Sequence, residues 1–392
     1  MPGVTEPLDL FATVEEYDGN EGLNVEAEST DAFHDIDRPW NPESIRVSTK
    51  NFSLRNMLDA IEENSLDLAP DFQRLRVWTP IQKAQLIESI LLQIPLPAFY
   101  FAEDTDGTLR VVDGVQRLST INDFVRGGED QKGGFTLSGL EYIANVIGMR
   151  FSDLPPLWQR RIYNTQIVAH VIDPSTPPPV MYDIFRRINT GGTPLNAQEI
   201  RHCMSKPRSR AFLKRLTALP EFDQATSGLL KNQRRMIDRE VALRFCAFWL
   251  IDPLEYDYGT MDEFLWDTTE RIDDPKMTSD EELDSLQTAF TRGLQNSYTT
   301  FGQHAYRKWP EGDTRLRPFN RALFESWTVE LARISEATTE GVCGEISARF
   351  RQQITYNTSY IASISASTGS LRSVQTRFGV ARQIIEEAVD AR

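Results

Sequence analysis

The residues best placed to do chemistry are a glutamine and an arginine side by side where a strand turns into a helix. The stretch "VVDGVQRLSTINDFV", residues 111–125, sets Asp113, Gly114, Val115, Gln116 and Arg117 between an apolar strand end and an amphipathic helix. A strand that ends in Asp-Gly and runs straight into a helix points free backbone N–H groups, and the positive end of the helix dipole, at whatever lies ahead. Such a turn suits an anion. Arg117 in the first turn can add a guanidinium fork to a phosphate, and Gln116 an amide donor or a hold on a water. Asp113 is placed to hold a magnesium ion through oxygen or water. The plain alternative is a turn with a solvated arginine and a capping aspartate, and spacing alone does not separate the two.

Two further stretches carry the same residue types. "PDFQRLRVW" brings a second pair, Gln73-Arg74, followed by Trp78. "FRRINTGGTPLNAQEIR", residues 185–201, reads as a helix, a loop and a helix capped by Asn196 with Glu199. In that loop Gly191-Gly192 lets backbone approach a ligand closely, and Asn189 and Thr190 bring short polar side chains to the same place. Trp78 offers a face for base stacking, but support of the adjoining loop is the preferred reading. Arg234 and Arg235, in "KNQRRM", are candidates for weak contact with DNA phosphates, with a solvated basic loop as the equal alternative. Three other signals read as structural. His170 lies on an apolar strand. His202 and Cys203 are helical neighbours pointing about 100° apart. Arg372, Arg377 and Arg382 drift around a helix and suit surface or helix–helix salt bridges.

The elements that must position these residues follow from pattern. Residues 51–63 have helical spacing. Thr79-Pro80-Ile81-Gln82 opens a second helix with a capping box and Pro at its first position, and Pro95 stops it. "PAFYFAE" (97–103) and "TLRVVD" (108–113) are strands joined by a turn ending in Asp-Gly. The helix after Asp113 ends at Gly127-Gly128. "TQIVAHVID" (165–173) is a strand and 180–188 a helix. From about residue 208 onward almost every periodic segment is helical.

The chain has 392 residues, enough for two or three domains, with an ordinary 40% apolar and 25% charged content. Three cysteines and four histidines, without ligand spacing, argue against zinc or a disulfide framework. No membrane span or signal peptide is legible, so a cytoplasmic place is expected. The net charge of −15 is uneven: residues 1–46 carry twelve Asp or Glu against two Arg. That segment reads as a disordered or loosely docked acidic arm. The rest lacks the basic surplus of a sequence-reading DNA binder, so DNA contact is expected to be weak and local.

Four motifs in order make the chain recognisable. Pro70-Asp71-Phe72-Gln73-Arg74 with Trp78, then "ESILLQIPLP", then Asp113-Gly-x-Gln-Arg-Leu-Ser-Thr, then "FRRINTGGTPL" resemble the N-terminal-domain family of GmrSD-type modification-dependent restriction enzymes. The same domain opens the phosphorothioate-sensing protein SspE, and its core is similar to the ParB/sulfiredoxin fold. "RRMIDREVALRF" and "SISASTGSLRSVQTRF" are similar to the helical extension of the family's stand-alone members. The resemblance implies an α+β fold, with a ParB/sulfiredoxin-like nucleotide-binding domain at 47–205 and an all-helical domain at 206–392. It implies a nucleoside-triphosphate site on an Asp-Gly-Gln-Gln-Arg motif, with hydrolysis tied to DNA restriction in anti-phage defence. Carried over by position, Asp113, Gln116 and Arg117 are catalytic. Gln73, Arg74, Gly114, Asn189, Thr190, Gly191 and Gly192 bind nucleotide, and Asp113 holds magnesium.

Two departures matter. The motif's first glutamine is Val115, which implies slow or absent turnover if that glutamine serves hydrolysis. The HNH nuclease of larger relatives is missing, since His304 has no companion histidine. DNA cleavage is therefore expected to need a separate nuclease subunit, with weak intrinsic nicking left open. The DNA sensed can be modified DNA, and a homo-oligomer stays open. The alternative function is a nucleotide-gated DNA-binding or scaffold module without turnover.

Overall fold

The computed structural model describes residues 14–18, 21–28, 46–68, 78–104, 106–127, 134–188, 196–231 and 235–392. The chain forms two compact units, Arg38–Met204 and Met1–Asp37 together with Ser205–Arg392. The first is mixed α and β, the second helical apart from an N-terminal hairpin.

That hairpin comes first in the chain. β1 (Glu15–Asp18) and β2 (Glu21–Glu26) pair antiparallel. Composition predicts disorder or loose docking for residues 1–46; within that stretch Glu15–Asp18 and Glu21–Glu26 form strands that group with the helical unit. Its charge reads differently once partners are known: the acidic side chains meet buried cations, as set out below.

The mixed unit runs β3 (Val47–Ser53), α1 (Leu54–Glu62), β4 (Leu66–Asp67), α2 (Pro80–Leu91), β5 (Phe99–Glu103), β6 (Leu109–Asp113), α3 (Val115–Arg126), α4 (Pro156–Asn164), β7 (Gln166–Ile172), α5 (Pro178–Ile188) and α6 (Ala197–Met204). Its sheet has the order β3-β7-β5-β6-β4. β5 and β6 form the expected antiparallel hairpin, closed by Asp104 N–H to Thr108 O at 2.8 Å and Gly107 N–H to Asp104 O at 2.9 Å. β7 lies parallel to β5, and β3 lies antiparallel to β7 at the edge.

Alternation explains which face is covered. Phe99, Phe101, Ala169, Val171 and Val111 are buried among Leu54, Leu58, Ile87, Ile90, Leu118, Ile121 and Ile162 of the helices. The predicted capping box on α2 is present, with Thr79 Oγ1 accepting from Gln82 N and Gln82 Oε1 from Thr79 N. α6 starts as predicted, Asn196 N–H donating to Glu199 Oε2 at 2.7 Å and Glu199 N–H to Asn196 Oδ1 at 2.8 Å. Glu88 on α2 is a buried acid. Burial would raise its carboxyl, but the backbone N–H groups of Tyr142, Glu141 and Ile143 hold it below the ordinary value.

The helical unit comprises α7 (Pro207–Thr217), α8 (Pro220–Ala225), α9 (Ile237–Leu250), α10 (Met261–Asp273), α11 (Asp280–Phe301), α12 (Arg321–Ala332), α13 (Glu336–Tyr356), α14 (Thr358–Ser363) and α15 (Leu371–Asp390). Every residue of α12 is buried, so the unit is built around it. Its charged side chains are paired accordingly: Glu325 with Arg377 and Arg244, and Glu330 with Arg382 at 2.9 Å. Arg377 and Arg382 are thus the helix–helix bridges expected of them. No helix among the described residues is long and apolar enough to cross a membrane.

Candidate functional site

The 111–117 stretch folds as its residue types require. Three buried valines, Val111, Val112 and Val115, bracket the turn from within the core. Between them Gly114 takes the left-handed backbone, φ +101°, and becomes the cap of α3. A side chain there has no room: a Cβ would lie 2.3 Å from Phe99 Cδ1 and 3.2 Å from Arg117 Nη2. The N-cap residue, Gly114, has no side chain with which to cap α3, so the N–H groups of its first turn are not claimed from that position. A helix start with no cap side chain of its own suits an anion.

Arg117 is held rather than free. Its Nη1 donates to the Pro97 carbonyl, and its Nη2 donates to Ala98 O at 3.1 Å and to Asp113 Oδ2 at 2.8 Å. The guanidinium lies 4.2 Å over the Phe99 ring centroid. Burial lowers its pKa and the Asp113 carboxylate opposes that, and an arginine stays cationic throughout. The expectation of a free fork toward phosphate is therefore changed. Arg117 ties the strand end to the 97–98 backbone, fixes Asp113, and lends the site a permanent charge. The "IPLP" stretch carries a signal for this: Pro95 and Pro97 have no N–H, keep the chain extended and leave carbonyls to be used.

Asp113 is the more exposed partner, its side chain 39% accessible against 12% for Arg117. With Oδ2 on Arg117, its Oδ1 makes no hydrogen bond among the described residues. These residues hold no group of three His, Cys, Asp or Glu that could cage a metal. A lone carboxylate oxygen beside a bare helix start fits a magnesium ion that arrives on phosphates and keeps several waters. Gln116 is half-buried on the first turn of α3.

Val115 is 1% exposed and belongs to the core. A glutamine at this position would have to bury its amide rather than reach the space ahead of the helix. The expectation that Val115 removes a group contacting phosphate or water therefore finds no geometric support.

Thr49, His170, Tyr100 and Asp113 are register partners across β3, β7, β5 and β6. His170 Nδ1 lies 3.0 Å from Thr49 Oγ1, and its ring packs 4.9 Å from that of Tyr100, which is the structural role expected of it. Tyr100 and Phe99, both missed as site residues, flank the turn; their only signal was membership in an aromatic strand. Trp78 packs against the core. Gln73 and Arg74, Asn189, Thr190, Gly191 and Gly192, and Arg234 lie outside the described residues. Arg235 sits half-buried in the turn before α9. The structure thus brings together Asp113, Gly114, Gln116 and Arg117.

Fold and site define a class: an α+β domain whose central hairpin delivers an aspartate, a left-handed glycine and a clamped arginine to a bare helix start. The family follows from sequence comparison. Residues 54–205 match the family described as "GmrSD restriction endonuclease, N-terminal domain". No curated protein matches the chain.

Proposed function

We propose that the chain is the sensor subunit of a bacterial DNA-restriction system, binding a nucleoside triphosphate with magnesium at the 113–117 turn. The observation that carries this is the uncapped start of α3 beside a fixed Asp113–Arg117 pair, within a domain matching a restriction endonuclease. The α3 amides take the phosphate oxygens. Magnesium, when bound, neutralises phosphate charge and polarises the group under attack. Asp113 would hold that ion, Arg117 keeps Asp113 oriented, and Gln116 positions the attacking water. DNA contact is weak, and cleavage is left to a separate nuclease subunit.

A second reading, nucleotide-gated binding without turnover, is favoured by one observation: the guanidinium of Arg117 is engaged by Pro97, Ala98 and Asp113 and does not reach ahead of the helix. Phosphate release measured with magnesium and each triphosphate, with and without DNA, decides between them. Release stimulated by DNA supports the first reading, binding without release the second, and neither binding nor release refutes both.

A further inference from the structure

The helical unit gathers more buried cations than the carboxylates of its own helices match. Arg244 (α9), Lys308, Arg321 (α12) and Arg377 (α15) have side chains no more than 5% exposed. Among the described residues, the helices supply two carboxylates to their ion pairs, Glu240 and Glu325. The other three come from the N-terminal hairpin. Glu28 takes a bidentate fork from Arg244, at 3.0 Å on Oε1 and 2.5 Å on Oε2, and a hydrogen bond from Thr368 at 3.0 Å. Glu26 accepts from Lys308 Nζ and, at 2.7 Å, from Asn320 Nδ2. Glu16 meets Arg321 at 2.9 Å. Lys308 also donates to Ser365 Oγ at 2.7 Å, so the Ser-rich 363–370 loop helps line the sockets.

These charges meet a hairpin with few apolar anchors of its own. A two-stranded hairpin is marginal by itself. Val25 is buried and Leu23 packs partly buried against the same core, while Val14 and Tyr17 remain 74% and 64% exposed. Its backbone adds two bonds to the strand-like segment at Phe319, Glu26 N–H to Phe319 O at 2.8 Å and Phe319 N–H to Asn24 O at 3.0 Å. Buried ion pairs contribute little net stability, because desolvation offsets their attraction. A ligand offering stronger anions at similar spacing can therefore displace it. Glu26 and Glu28, two residues apart, are at most about 7 Å from each other along extended chain. That is the scale of neighbouring phosphates on a nucleic-acid strand.

We propose that Arg244, Lys308 and Arg321, with Asn320, Thr368 and Ser365, form a site for the phosphate backbone of DNA, and that the acidic hairpin occupies it in the resting chain. The choice of DNA rests on the restriction-system reading; the opening of the hairpin and its independence of nucleotide do not. Binding of a short labelled DNA duplex to the full chain is measured against salt for the wild type and for Glu16→Gln/Glu26→Gln/Glu28→Gln. The triple variant should bind at least tenfold more tightly, with a log–log salt slope steeper by about −0.9 for each phosphate engaged. Adding Lys308→Ala and Arg321→Gln should abolish the gain, and Arg117→Ala should leave it intact, which separates this site from the nucleotide turn. A folded triple variant with unchanged affinity and slope overturns the proposal. So does tripolyphosphate competing as well as DNA at equal phosphate concentration, since the site would then take a small anion. If the triple variant does not fold, hydrogen exchange on the wild type decides. Faster exchange at Glu26 and Ala27 on adding DNA supports displacement, and unchanged protection equal to that of α12 overturns it.

Discussion

Replacing Gly114 by alanine tests the cradle around the turn. The substitution puts a side chain on a backbone at φ +101°, which costs an L residue about 1–2 kcal/mol. It also sets a Cβ 2.3 Å from Phe99 Cδ1, so the ring must move, and overpacking of this kind costs about 1–3 kcal/mol. Reduced freedom of the unfolded chain returns about 0.4–1 kcal/mol. The expected net loss is about 2–4 kcal/mol. With a urea slope of about 2 kcal/mol/M, the midpoint of the mixed unit should fall by about 1–2 M. Because Phe99 lies under the Arg117 guanidinium, the clamp should loosen too, and nucleotide affinity should fall with stability. The control is Gly107→Ala, also at positive φ (+86°) but with nothing within 4 Å of the new Cβ. It should show the backbone cost alone. Equal losses at the two glycines would refute the argument that contact with Phe99 makes position 114 a glycine.

The other predictions concern stability and rate. Val115→Gln should lower stability by about 1–3 kcal/mol by burying an amide, and phosphate release should not rise; faster turnover in a stable variant would reinstate a catalytic role for that side chain. Glu88 has a lowered folded pKa, so its contribution is present above its ordinary 4.5 and lost as pH falls through the folded value. Glu88→Gln should flatten the decline of thermal stability in that acid range, and an identical pH profile would contradict the anchoring role. Glu28 is held down at about 2: burial alone would raise it, but Arg244 and Arg321 prevail. Its contribution should disappear between pH 4.5 and about 2, with the hairpin losing exchange protection before α12 does. Arg377→Met leaves Glu325 with Arg244 as its remaining cation, and the helical unit should lose about 3–5 kcal/mol on thermal or urea unfolding.

The elements that position the site were legible because they are locally specified. The Thr79 box, the Asp104–Gly107 turn, the Asn196–Glu199 cap and the aromatic strands all act within a few residues. What was not legible depends on distant partners. β3 is a largely exposed edge strand whose sequence, VSTKNFS, shows no apolar alternation, and the first helix starts three residues later than its pattern suggests. α13 spans Glu336–Tyr356 but buries a narrow stripe, Thr339, Val342, Ile346, Phe350 and Ile354, on a Gly- and Thr-containing helix. The hairpin at 15–26 is acidic and poor in apolar residues, and its order comes from cations some 220 to 300 positions away in sequence. At the site, residue types gave the anion-binding turn. They did not give the direction of Arg117, which is set by the Pro97 and Ala98 carbonyls, nor the burial of Val115.

The central claim is that the first turn of α3 receives the phosphates. Hydrogen exchange on the wild-type chain, with and without a magnesium–nucleoside triphosphate, reads those amides directly. The account predicts slowed exchange centred on Val115, Gln116 and Arg117, with little change along β7 at the other side of β5. Nucleotide binding that leaves these three amides unchanged, or no binding of any triphosphate, would contradict it.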